Sequence, residues 1–173
     1  MTNGIELQTE RLLLKQEGIE AWEDILEFYK ENIDSSYTYD MEIPKDFCTK
    51  QHQLARLSME MQLTKSRSYL RLWLFEKENV EKRIGTICFS DIFGKTAILS
   101  YQIAPLFQKQ GYCVEACLKG LSLIKEQYQV DKVKAKVFAE NLPSIKVLER
   151  LQFSCIKKEK IDGKELLYFE YNL

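Results

Sequence analysis

The chain has 173 residues, with 25 lysines and arginines against 26 aspartates and glutamates and a formal net charge of −1. That balance argues against a basic nucleic-acid arm, and a 45% hydrophobic composition argues against disorder as the dominant state. No run approaches the ~18 apolar residues of a membrane helix. The N-terminus has no cationic segment leading into a long apolar stretch, so the cytoplasm is the expected compartment. The absence of linker-like stretches and repeats predicts one domain over 1–173.

Arg11 to Lys15 (RLLLK) predicts a short strand, and Trp22, Ile25, Leu26 and Tyr29 then recur at helical spacing. After Pro44 a second helical stretch carries Phe47, Leu54, Leu57 and Met61, with Cys48 and the only histidine, His52, near its start. From Tyr69 the period shortens to two: YLRLWLFEK, KRIGTICFSDIF and TAILSYQIA predict three successive antiparallel strands. The helical period returns in Val114, Cys117, Leu118, Leu121, Ile124 and Tyr128, and Val133, Ala135 and Val137 then alternate with lysines. A strand, a helix and another strand imply a parallel crossover. Asn141 stands as an N-cap before Pro143, with Leu142, Ile145, Leu148 and Leu151 on one helical face, and a hairpin closes across Asp162-Gly163. The expected fold is α/β, a mixed sheet with helices on both faces in the order β-α-α-β-β-β-α-β-α-β-β.

The five cysteines (Cys48, Cys88, Cys113, Cys117, Cys155) form neither a C-x-x-C pair nor a metal-ligating array, and no metal is expected. Residues 99–121 carry the strongest functional signal, because a strand, a short loop with Gly111 and an amphipathic helix follow one another. Unpaired N–H groups and the peptide dipoles at a helix start attract phosphate. Gly111 lets the backbone approach an anion, with Gln108 or Lys109 as further donors; an ordinary strand-to-helix turn is the other reading.

Three segments together resemble the GCN5-related N-acetyltransferase (GNAT) superfamily, in its ribosomal-protein N-acetyltransferase (RimJ/RimL-like) branch. TERLLLKQ resembles the family's opening strand, AILSYQIAPLFQKQGYCVEA its acetyl-CoA segment and ENLPSIKVLERLQF its final helix. The family's [QR]-x-x-G-x-[GA] pyrophosphate motif corresponds to Gln108, Lys109, Gln110, Gly111, Tyr112 and Cys113, with Lys109 in place of a common glycine and Cys113 in place of Gly/Ala. Ser100-Tyr101-Gln102 replaces a common Gly-Tyr-Trp, and Gln152-Phe153 a common Gly-Phe.

The resemblance implies a gap between the fourth and fifth strands of that order, where the pantetheine arm of acetyl-CoA lies against main-chain groups of Gln102, Ile103 and Ala104. It implies a contact to the arm from Asn141 and a place near the thioester sulfur for Ser144, whose other reading is a hydroxyl serving local backbone donors. Tyr101, lining the acceptor tunnel, is expected to be catalytic together with Ser144; its other reading is a core aromatic. Leu148 stands where many amine acetyltransferases have a tyrosine acid. No general base stands out; Asp91 and Glu140 are candidates, and His52 is expected to be an exposed helix residue. Lys132, Lys134 and Lys136 read as a polar strand face or as a contact for the adenosine 3′-phosphate. Trp22 and the Tyr37/Tyr39 pair fall in the helical region that forms the acceptor wall in relatives, with core packing as the other reading of Trp22. The implied activity is acetyl transfer from acetyl-CoA to an amine, either a protein N-terminus or a small molecule. The alternative is a non-catalytic acyl-CoA-binding or sensing protein.

Overall fold

In the computed structural model, which describes residues 4–36 and 43–173, eight strands form one sheet in the order β1-β2-β3-β4-β5-β6-β8-β7. Its first strands are β1 (Glu6–Gln8), β2 (Leu12–Lys15), β3 (Leu70–Glu76), β4 (Asn79–Phe93) and β5 (Thr96–Ile103), each antiparallel to its neighbour. β6 (Lys132–Phe138) runs parallel to β5, and β8 (Lys164–Asn172) lies between β6 and β7 (Ser154–Ile161). The expected element order is present with one addition. The three-residue β1 pairs with β2 through Glu6 to Lys15, too short and too exposed to leave a period in the sequence.

Helices α1 (Trp22–Ser36) and α2 (Lys50–Lys65) cover one face, where Ile25, Phe28, Tyr29 and Leu57 pack on Leu13, Trp73 and Phe75. On the other face α3 (Tyr112–Tyr128) and α4 (Leu142–Arg150) supply Ala116, Cys117, Leu121, Ile124 and Leu148 to a cluster with Leu72, Ile87, Leu99 and Val133. Burial on both faces explains why β3 reads as the nearly continuous apolar run LRLWLF.

Expected boundaries or faces shift in three helices. Pro44 opens a pair of turns, with Phe47 N donating to Pro44 O and Thr49 N to Asp46 O, so Phe47 and Cys48 precede α2. Thr49 then caps α2 by accepting from His52 N (3.2 Å). The face α2 buries is Gln53, Leu57 and Glu60, not the purely apolar stripe the periodicity predicts. Leu118 and Leu142, expected on buried faces, are exposed. The closing hairpin turns as predicted, with positive φ at both Asp162 (50°) and Gly163 (82°). Tyr37 and Tyr39 lie outside the described residues.

Candidate active site

The parallel pairing of β5 with β6 spans only Thr96–Ile98 against Lys132–Lys134. Beyond it β5 stays paired with β4 as far as Ile103, and β6 with β8 as far as Phe138, so the two strands fork and leave facing edges without a strand between them. Ala104 N donates to Ile84 O (2.9 Å), which aims the residue-104 amide at β4. Successive strand residues point their main-chain groups to opposite sides. Gln102 therefore also faces β4, while Leu99, Tyr101 and Ile103 face the fork. Of the three residues expected to offer main-chain groups to the gap, Ile103 alone does so. Its carbonyl accepts from Gln108 Nε2 (3.0 Å).

At one end of the fork the chain leaves β5 and turns into α3. Lys109 (φ 62°) and Gly111 (φ 85°) both take the left-handed conformation, the second as the N-cap of α3. The first helix amide to find a carbonyl is that of Glu115, bonded to Gly111 O (3.1 Å). None of the amides of residues 109–114 meets an acceptor among the described residues. Alternating left- and right-handed residues gather consecutive N–H groups into a concavity suited to an anion, and the helix dipole adds to its positive potential. Gln108 is turned back to Ile103 O and Gln110 Nε2 to Leu106 O (3.0 Å), so both amide side chains brace the loop.

A clasp absent from the sequence reading holds this loop. Arg11 Nη1 donates to Gln110 O (2.9 Å), its guanidinium lies 4.4 Å from the centre of the Tyr112 ring, and Arg11 Nη2 is 2.6 Å from Glu115. Glu115 also accepts from the Thr9 hydroxyl and the Arg11 amide. Partial burial pushes this carboxyl upward, but the Thr9 and Arg11 hydrogen bonds and the guanidinium charge outweigh it and hold Glu115 below the ordinary range. The carboxylate is thereby neutralised one turn from the open amides. The only hint in sequence is an acidic residue in the first turn of a helix that otherwise invites an anion.

Across the fork, Asn141 Oδ1 caps α4 by accepting from Ser144 N (3.2 Å). Backbone capping thus falls to Asn141, and the Ser144 hydroxyl has no partner among the described residues. Tyr101 reaches over from β5 and donates its phenolic proton to Ser144 O (2.9 Å). Burial, reinforced by Cys113 and Cys117, raises the Tyr101 phenol far above its usual value and keeps it neutral. Its side chain points to the α3 and α4 face with Leu99.

The remaining candidates separate. Asp91 lies in the irregular stretch of β4 beside Phe93 and Thr96, at the opposite end of β5 from Ile103. Glu140 is exposed just before α4. His52 is half-buried, 3.4 Å from Asp46 and against Phe47. Lys132, Lys134 and Lys136 lie on the face opposite α3, because Val133, Ala135 and Val137 fill the α3 and α4 side. Trp22 packs at the edge of the α1 and α2 cluster, with Lys50 Nζ 4.5 Å from its ring centre.

A buried polar network beneath α2 went unread. Glu60 accepts from Arg56 Nη1 (2.7 Å), Arg71 and the Tyr69 hydroxyl (2.7 Å). Burial raises the Glu60 carboxyl, but Arg71 and Arg56 overcome this and keep it charged below the usual range. Gly85 is a second omission. A Cβ there would stand 2.4 Å from Gln102 O, so β4 approaches β5 beside the fork only because this residue has no side chain.

The acetyltransferase (GNAT) domain family matches residues 11–154, and the chain belongs to that family. It is therefore an acetyl-CoA-dependent acetyltransferase. The structure is similar to a ribosomal-protein-S5-alanine acetyltransferase from Vibrio fischeri (TM-score 0.89, 18% identity, 97% of this chain and 96% of that one). It is also similar to RimL, a ribosomal alpha-N-protein acetyltransferase, in complex with coenzyme A (TM-score 0.87, 13% identity, 98% of each chain). A third likeness is the microcin C7 self-immunity acetyltransferase MccE in complex with acetyl-CoA and AMP (TM-score 0.80, 17% identity, 100% and 98%). These likenesses are of fold. No curated protein matches the sequence.

Proposed function

We propose that the acceptor is a free amine, foremost a polypeptide N-terminus, and that it attacks the acetyl thioester directly in a ternary complex at the β5/β6 fork. The observation that carries this reading is the set of unbonded amides at residues 109–114, at the end of a strand whose edge is open. In this reading the loop from Gln108 to Cys113 receives the pyrophosphate of acetyl-CoA, and the open edge of β5 with Asn141 receives the pantetheine arm. The family match gives no support to a non-catalytic sensor.

The reaction needs a neutral nucleophile, a stabilised oxyanion and a leaving thiolate. An α-amino group, with a pKa of about 7.7–8.0, reaches the neutral form far more readily than a lysine near 10.4. Its lone pair attacks the thioester carbon, and the carbonyl electrons move to oxygen. The Ile103 N–H, facing the fork, is the donor for that oxyanion; losing one such donor typically costs ~3–4 kcal/mol of barrier. The carbon–sulfur bond then breaks and the thiolate leaves, its acid having a pKa of roughly 8.5. Ser144 supplies a hydrogen bond to the departing sulfur, and the ammonium proton passes to water. Tyr101 serves as a positioning residue, since its proton is already given to the Ser144 carbonyl.

Ser144→Ala tests the assignment. A hydrogen bond to a charged group contributes about 1.5–3 kcal/mol, so turnover should fall about 10- to 100-fold with unchanged acetyl-CoA affinity. Equal turnover in the variant removes Ser144 from the chemistry.

A further inference from the structure

Among the described residues, the fork is filled on one face and uncovered beside β6 on the other. On the α3 and α4 side the apolar cluster and the Tyr101 bond to Ser144 fill the space beneath it. On the α1 and α2 side the apolar cluster draws on β2 and β3 and on no residue of β6, β7 or β8. Ser100, on the floor of β5, is exposed there. Among the described residues, no helix packs on β6, β8 and β7 from this side, so their side chains line the approach to the fork.

Those side chains include Lys132, Lys134, Lys136 and Lys157, set among Glu159, Tyr168 and Glu170, the last directly opposite Lys134. Ile98 and Lys134 form the last β5–β6 pair, so Lys134 marks the crotch of the fork and Lys136 stands on its β6 lip. Lys136 is paired across strands with Tyr168, and Tyr168 with Lys157, which places Lys136, Tyr168 and Lys157 in one row. Both ammonium groups lie against the tyrosine ring, 5.5 Å and 5.0 Å from its centre. Lys132 is ion-paired with Glu170 and Lys157 with Glu159, which also accepts from the Tyr168 hydroxyl. Neither Lys134 nor Lys136 is ion-paired among the described residues. With strands about 4.8 Å apart, the row spans roughly 10 Å, the length of about three extended residues.

Resting on the reading of the acceptor as a polypeptide N-terminus, we propose that this lysine row selects chains whose second to fourth residues include aspartate or glutamate. The terminal amine enters the fork, and the next residues run out over Lys136, Tyr168 and Lys157. Their carboxylates meet Lys134 and Lys136, which have no ion pair among the described residues, while a basic segment or a polycationic small amine is repelled.

The test is a panel of N-terminal peptides with the same first residue and acidic, neutral or lysine residues at positions 2–4, with spermidine as a polycation. It is run on the wild type and on a Lys134→Glu, Lys136→Glu double variant whose acetyl-CoA affinity is checked by calorimetry. The wild type should show kcat/KM about tenfold or more higher for acidic than for basic peptides, a gap narrowing with salt. The double variant should lose or invert that order. Equal acetylation of all three peptide classes, or a preference that survives the double variant, overturns the lysine row and leaves the N-terminal reading intact. Failure to acetylate any peptide, with spermidine or another small amine acetylated instead, overturns both.

Discussion

Two residues of the amide loop sit in a backbone conformation that side chains disfavour, and only one of them is glycine. A non-glycine residue in the left-handed region costs roughly 1–2 kcal/mol, and Lys109 bears that strain. Lys109→Gly relieves it, offset by about 0.4–1 kcal/mol of added freedom in the unfolded chain. Urea unfolding should therefore show the variant equal to the wild type or up to about 1.6 kcal/mol more stable; a clear loss would mean the lysine side chain has a role of its own. At Gly111 an added Cβ meets only Arg11 Nη2, at 3.4 Å, so the protein has room for it. Gly111→Ala should fold with a penalty of about 1–2 kcal/mol. Its acetyl-CoA affinity should fall, which calorimetry on the folded variant will read. The sequence displays Gly111 openly, but nothing in it marks Lys109 as left-handed, since that follows from the path the chain must take between a strand and a helix already fixed elsewhere.

The elements around the loop depend on the clasp from the start of β2 to the first turn of α3. Arg11→Met should weaken acetyl-CoA binding by leaving the Glu115 carboxylate uncompensated beside the proposed pyrophosphate site. Glu115→Gln carries a pH signature with a definite sign. The fold holds the Glu115 carboxyl below its ordinary value of 4.5, so its stabilisation is complete above that value and is lost as pH falls through the folded value. The stability difference between wild type and Glu115→Gln should be greatest near neutrality and shrink below pH 4.5; a difference constant from pH 7 to 3 would contradict the clasp. At this scale the sequence was legible where apolar periodicity and burial coincide, as in β6, and where turn chemistry marks the chain, as at Asp162-Gly163. It misled in α2, whose inward face holds Gln53 and Glu60 because buried partners satisfy them. It did not pair Arg11 with Glu115, which meet only after β2 and α3 have packed.

Over the whole molecule, one departure from a regular sheet creates the site: β5 and β6 begin in register and then part. The crossover order made a parallel pair legible, but nothing in the sequence marks its end at Ile98 and Lys134. Gly85 supports the fork from the β4 side. Gly85→Ala would drive a Cβ to 2.4 Å from Gln102 O and should cost at least about 1–3 kcal/mol, as overpacking does, with a larger loss of turnover than of α3 helicity. The central claim concerns the open amides of residues 109–114. Amide hydrogen exchange, with and without coenzyme A, tests it most directly. Those amides should exchange rapidly in the free protein and become protected on binding, along with that of Ile103; strong protection before coenzyme A is added, or none after it saturates, would contradict the account.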